Sequence, residues 1–202
     1  MVCPWSNIEK HAGYNPLRFN SMTTYIAMLR GINVSGQKII KMERLRAMFE
    51  DMGFGSVKTY VQSGNVVFET NEAAAGLPAK IQKRILKDFD FDVTVLTKSA
   101  KEMADIVKRN PFVKDKAIDQ TKLHVTFLSD DPPKNALELI QPLAAGEEQI
   151  RISGRAVYLY CPNSYGNTKL SNNAIEKKFS CGATTRNWNT TKTLLEMAER
   201  GD

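Results

Sequence analysis

A chain of 202 residues with a formal charge of +6 can bury a real core and suits one large domain or two small ones. Its 42% apolar and 25% charged residues are ordinary for a globular protein, and no apolar run approaches the roughly 18 residues of a membrane helix. The start of the chain lacks a basic stretch followed by an apolar one, so the expectation is a cytoplasmic protein with no membrane partner.

Residues 1–21 show no 2- or 3.6-residue apolar period, and Pro4, Gly13, Asn15 and Pro16 punctuate them. They read as an N-terminal extension outside the fold, with Met22 as an alternative start of translation. Trp5 and His11 lie here and carry no chemistry in this reading. From Thr24 the pattern is regular. Thr24 to Leu29 is a short apolar strand. Met42, Leu45, Met48, Phe49 and Met52 share one helical face, and Gly53 closes that helix. Val57–Val61 and Val66–Thr70 read as strands joined at Ser63-Gly64-Asn65, a tight-turn composition. Ile81, Ile85, Leu86 and Phe89 mark a second helix, and Val93–Leu96 a fourth strand. The order is β-α-β-β-α-β, the split βαβ or ferredoxin-like order.

The second half nearly repeats it. Met103, Ile106 and Val107 predict a helix stopped by Asn110-Pro111. Leu123–Leu128 alternates as a strand, and Asp131-Pro132-Pro133 opens a helix carrying Leu137, Ile140 and Leu143. Ile150–Ile152 and Ala156–Tyr160 make a hairpin about Ser153-Gly154-Arg155. Leu170, Ala174, Ile175 and Phe179 predict a helix that Gly182 can cap, and a last helix runs from about Asn189 to Glu199. The expected class is α+β, with two ferredoxin-like subdomains built on antiparallel sheets. The expected division is 1–21 extension, 22–98 first subdomain and 99–202 second subdomain.

Three polar, donor-rich segments stand out: Leu29-Arg30-Gly31-Ile32-Asn33-Val34-Ser35-Gly36-Gln37-Lys38, Tyr60 to Phe68, and Thr184-Thr185-Arg186-Asn187-Trp188-Asn189-Thr190. The first has glycines five apart with a lysine beyond, but Gln37 holds the place a phosphate-binding P-loop gives to lysine, and neither Lys38 nor Ile39 supplies that loop's hydroxyl. A P-loop NTPase is rejected. A glycine-rich strand-to-helix loop can still hold an anion on its backbone N–H groups, beside Arg30 or Lys38. The competing reading is a turn that needs glycine for its positive φ. The third segment, carried on to Thr191, offers six capping-type side chains, more than one helix start requires, with Arg186 among them. Trp188 reads as a core anchor rather than a stacking platform, and His124 as a packed strand residue rather than a general base. Cys3, Cys161 and Cys181 are odd in number and share no metal-ligand spacing, so they read as reduced thiols. No G-x-S-x-G, H-E-x-x-H or paired-cysteine motif occurs.

The same segments resemble DUF1697, a bacterial domain family of unknown function, through Tyr25–Val34, Thr59–Phe68 and Ala183–Thr190. The resemblance spans about Met22 to Glu199 and implies two ferredoxin-like α+β subdomains. It implies no activity, cofactor or catalytic residue. The family often has glycine where Ser35 stands here.

The functional expectation is a binding protein for a small anionic or phosphorylated ligand, held between loops of the two subdomains. Its ligand-binding candidates are Arg30, Gly31, Asn33, Gly36, Lys38, Ser63, Asn65, Thr185, Arg186 and Asn187, with Arg186 facing the Arg30–Lys38 loop. No metal site is expected. Two rivals come from other classes. A nucleic-acid-binding module fits the basic surplus in residues 151–202, where eight Lys/Arg face four Asp/Glu. It would use exposed aromatics among Tyr60, Phe68, Phe127, Tyr158 and Tyr160. An enzyme with a site at the subdomain interface is the other. No motif names a cofactor, a catalytic residue or an oligomeric state.

Overall fold

The computed structural model describes residues 22–34 and 36–200. The expected extension, with Trp5, His11 and Cys3, lies outside the described residues, and so does Ser35.

The first half runs β1 (Thr23–Leu29), α1 (Met42–Asp51), β2 (Gly55–Tyr60), β3 (Asn65–Thr70), α2 (Leu77–Phe89) and β4 (Val95–Ser99). Helix α3 (Ala100–Lys108) follows directly. The second half runs β5 (Leu123–Leu128), α4 (Ala136–Ile140), β6 (Gln149–Ser153), β7 (Ala156–Tyr160), α5 (Asn172–Phe179), β8 (Ala183–Asn187) and α6 (Trp188–Glu199). Each half makes a four-stranded antiparallel sheet, in the orders β2-β3-β1-β4 and β6-β7-β5-β8. The strand that opens each half sits centrally and the strand that closes it lies at an edge, as the split βαβ order requires.

Strand periodicity sorts three cores. Tyr25, Ala27 and Leu29 point to α1 and α2, against Leu45, Phe49, Ile81 and Ile85. Ile26 and Met28 point the other way, into a shared core with Val125, Phe127 and Tyr158 of the second sheet. Helices α3 and α6 contribute Met103, Trp188, Leu194 and Ala198 to that shared core. Leu128, Val157 and Leu159 pack beneath α4 and α5. Both faces of each sheet are therefore covered, which explains the unbroken apolar run Ile26–Leu29 in β1. The Tyr158 hydroxyl donates to the Ile106 carbonyl at 2.8 Å and ties α3 to the second sheet. Burial pushes that phenol up to about 12.

Three local expectations need correction. Thr184–Asn187 is not a loop before a helix but β8 itself, paired with β5. Ser180, at φ +54°, takes the left-handed position after α5 that Gly182 was expected to supply. Gly182 instead packs against Thr94 and Ser129, where a Cβ would come within 3.2 Å. The helix after Pro133 is a single short one, and Leu137 on it is exposed. Among the described residues, no helix is long and apolar enough to cross a membrane.

Candidate functional site

The three polar segments meet at one side chain. Arg186 projects from β8 on the face that looks toward the first sheet, and only 7% of it is exposed. Its Nε donates to Asn65 Oδ1 at 2.5 Å. One terminal nitrogen donates to Thr184 Oγ1 at 2.8 Å and the Thr185 carbonyl at 2.9 Å. The other donates to the carbonyls of Leu29 at 2.9 Å and Ser63 at 3.1 Å. A guanidinium has five N–H donors, and all are used. The sequence reading that gave Arg186 to a ligand's hydrogen bonds is corrected on this point: it has no donor left.

Every acceptor around Arg186 is neutral. Among the described residues, no carboxylate bonds it. Burial without a counter-charge pushes its pKa down to about 10. At neutral pH the group is still charged, so an unbalanced positive charge sits inside the protein.

The first two segments are fitted together as tightly. Asn33, at φ +55°, donates from Nδ2 to the carbonyls of Ile40 at 2.9 Å and Gln62 at 2.8 Å, and its Oδ1 accepts from the Ile40 amide at 2.8 Å. Gly64, at φ +73°, lies on Leu29 and Ile32, and a Cβ there would meet their side chains at 2.8 Å. Its carbonyl accepts from the Leu29 amide at 2.8 Å. Only glycine satisfies both the dihedral and the contact. Asn65 Nδ2 donates to the Tyr60 carbonyl at 3.1 Å and to Ser63 Oγ at 3.0 Å, which aims its Oδ1 at Arg186.

The remaining loop candidates are engaged or open. Arg30 forms a 2.7 Å ion pair with Glu176 of α5 and also bonds Asn173, crossing from one half to the other. Lys38 bonds the Asp92 carbonyl. Gly31 and Gly36 take positive φ with open space about them, as turns demand. The structure thus brings Arg30, Asn33, Ser63, Asn65, Thr185, Arg186 and Asn187 together at the junction and leaves Gly31, Gly36 and Lys38 along the outer loop.

A cavity of about 250 Å³ opens beside Arg186, lined also by Ser63, His124, Tyr165, Thr185, Asn187 and Thr190. Asn187 is the N-cap of α6 and accepts from the Thr190 amide at 2.7 Å, so the cavity lies at the positive end of a 12-residue helix whose first turn has no acidic residue. The Thr185 hydroxyl sits in a chain with Thr126 at 2.7 Å, Tyr165 at 2.9 Å and Asn172 at 2.6 Å. His124 stacks on Tyr165 with ring centroids 4.7 Å apart. Its Nδ1 lies 3.2 Å from the Lys122 carbonyl, which only accepts, so Nδ1 carries the hydrogen. Burial lowers the imidazole's pKa and favours the neutral ring, with Nε2 left as an acceptor. The sequence did not connect His124 or Tyr165 with this site; Thr190 lay in the third segment but was not among the ligand-binding candidates. His124 faces Asn187 across the β5–β8 ladder, a register that no residue pattern revealed.

Other sequence features resolve simply. Trp188 is buried in the shared core as an anchor. Phe68, Phe127 and Tyr158 are fully buried, so the exposed aromatic platform that a nucleic-acid module would use is absent from those three strand positions. Burial pushes the Cys161 thiol up to about 12, which makes it inert. Among the described residues, no group of three or more His, Cys, Asp or Glu is placed to hold a metal ion.

These features define a two-sheet α+β protein whose halves are joined at a buried arginine beside a polar cavity. The family model for a protein of unknown function, DUF1697, matches residues 22–158, and the chain belongs to that family. A solved structure of a conserved bacterial protein from Streptococcus pneumoniae has the same fold, with a TM-score of 0.72 at 21% identity, covering 88% of this chain and 99% of that one. No curated protein matches the sequence.

Proposed function

We propose that this protein binds a small anionic or phosphorylated ligand in the cavity between its two halves, with the anionic group at the N-terminus of α6. The observation that carries this reading is the unbalanced charge of Arg186 in the cavity wall. A buried cation with no carboxylate partner favours an anion nearby, because an opposite charge recovers part of the desolvation cost. The helix end adds a positive potential in the same place. Direct hydrogen bonds to the ligand come from other groups. Ser63 Oγ accepts from Asn65, which leaves its own hydrogen free to donate. The Thr190 hydroxyl lines the same space.

The cavity's size limits the ligand. About 250 Å³ lies below the usual range for drug-sized molecules, so it suits a phosphate or carboxylate group, alone or as the end of a larger molecule.

Inorganic phosphate is the first probe, by thermal shift and calorimetry at constant ionic strength. A ligand at 100 times its Kd stabilises the native state by about 2.7 kcal/mol, or roughly 5–11 °C in Tm for a chain of this size. Ser63→Ala with Thr190→Val should weaken binding at least about tenfold, while the lost Asn65–Ser63 hydrogen bond lowers the Tm in the absence of phosphate by only a few degrees. A Tm that responds to phosphate no more than to chloride at equal ionic strength contradicts the reading.

A further inference from the structure

We propose that Lys98 is a nucleophilic amine that captures small aldehydes as a Schiff base, in a second cleft at the other end of β1 and β5. Lys98 stands on β4 opposite Ile26 and faces the core between the sheets. It is 5% exposed. It lines two neighbouring cavities, of about 370 and 160 Å³, which also share Glu102 and Arg155. The larger one has Thr97, Ser129 and Asp130 in its walls and can hold a compound of a few heavy atoms.

The hydrogen bonding at Lys98 is what singles it out. An ammonium carries three donors. Among the described residues Lys98 has one acceptor, the Leu128 carbonyl, at a long 3.3 Å. Among the described residues no carboxylate reaches it as an ion pair, and Asp131 and Glu102 are committed elsewhere. Arg155 holds Asp131 with two contacts, at 2.9 and 3.3 Å. Glu102 Oε2 accepts from the Ser99 amide at 2.8 Å and hydroxyl at 2.9 Å in the capping box of α3. Desolvation by burial is the main influence and lowers the amine's pKa; Arg155 pushes the same way, while Glu102, Asp131 and Asp130 push back. A neutral amine needs fewer acceptors than an ammonium and tolerates this setting better. The free amine is also the nucleophilic form.

The chemistry balances without a co-reactant. The Nζ lone pair attacks the carbonyl carbon and forms a C–N bond. Nζ gives up its two hydrogens, and the carbonyl oxygen gains two and leaves as water, giving a C=N bond to Nζ. Nothing is oxidised or reduced, and water reverses the step. Solvent water carries the protons between nitrogen and oxygen.

The test uses the full chain, glyoxylate at pH 7 and cyanoborohydride, which fixes an imine as N-carboxymethyl-lysine. Peptide mass mapping gives the rate at each lysine. Lys98 is expected to label faster than the exposed Lys41, Lys87 and Lys116, since a lowered pKa leaves more of the amine in its free, nucleophilic form. No advantage over the exposed lysines, no adduct at Lys98, or labelling there only in urea overturns the proposal. The wild-type map decides this alone. Lys98→Arg should also remove the fast adduct without changing the rates at the other lysines.

Discussion

Two basic side chains are buried between the same two sheets, and the protein treats them in opposite ways. Arg186 is surrounded by five acceptors drawn from three distant segments. Among the described residues Lys98 has one, at the edge of hydrogen-bond range. Their exposures, 7% and 5%, are nearly equal, so burial does not distinguish them. Acceptor count does. A guanidinium cannot shed its proton and must be solvated by the protein, which makes it a junction. An amine can shed its proton, which makes an under-solvated lysine reactive. One end of the interface is therefore a lock and the other an open, chemically competent cleft.

The sharpest break of this comparison is a matched pair of substitutions. Arg186→Met leaves the Leu29 and Ser63 carbonyls and Asn65 Oδ1 without their donor. It should cost about 3–5 kcal/mol, roughly 6–20 °C in Tm. Lys98→Met removes an amine whose desolvation is barely repaid, and should stay within about 1 kcal/mol of wild type or exceed it. Equal losses at the two positions would erase the distinction. The next largest effect is Gly64→Ala. It forces a Cβ to 2.8 Å from Leu29 and Ile32 at φ +73°, and should cost about 2–4 kcal/mol by denaturant unfolding. A loss under about 1 kcal/mol would mean the first two segments are not fitted as described.

Much of the architecture was legible in the chain, for physical reasons. Helix-period stripes such as Met42, Leu45, Met48 and Phe49 and the turn glycines Gly53, Gly64 and Gly154 place α1 and the hairpins correctly. The eighth strand was hidden because Ala183–Asn187 is polar, with no apolar alternation. Its polar side chains serve an interface of hydrogen bonds: Thr184 and Arg186 face the first sheet, while Thr185 and Asn187 serve the cavity. The convergence of the three segments was expected, but not the manner of it. A donor-rich loop awaiting an anion and a donor-rich strand binding carbonyls have the same composition. Only Leu29 and Ser63, contributing main-chain oxygen with no side-chain signature, tell them apart. Lys98 was invisible for a related reason, because its neighbours Leu128 and Arg155 come from remote parts of the chain.

The most direct test of the junction is a double-mutant cycle between Arg186→Met and Asn65→Ala, residues 121 apart in sequence, measured by chemical denaturation. A shared charge-assisted network predicts a coupling energy of about 1.5–3 kcal/mol. Losses that add within about 0.5 kcal/mol would show that Arg186 and the second segment act independently, and would contradict the account.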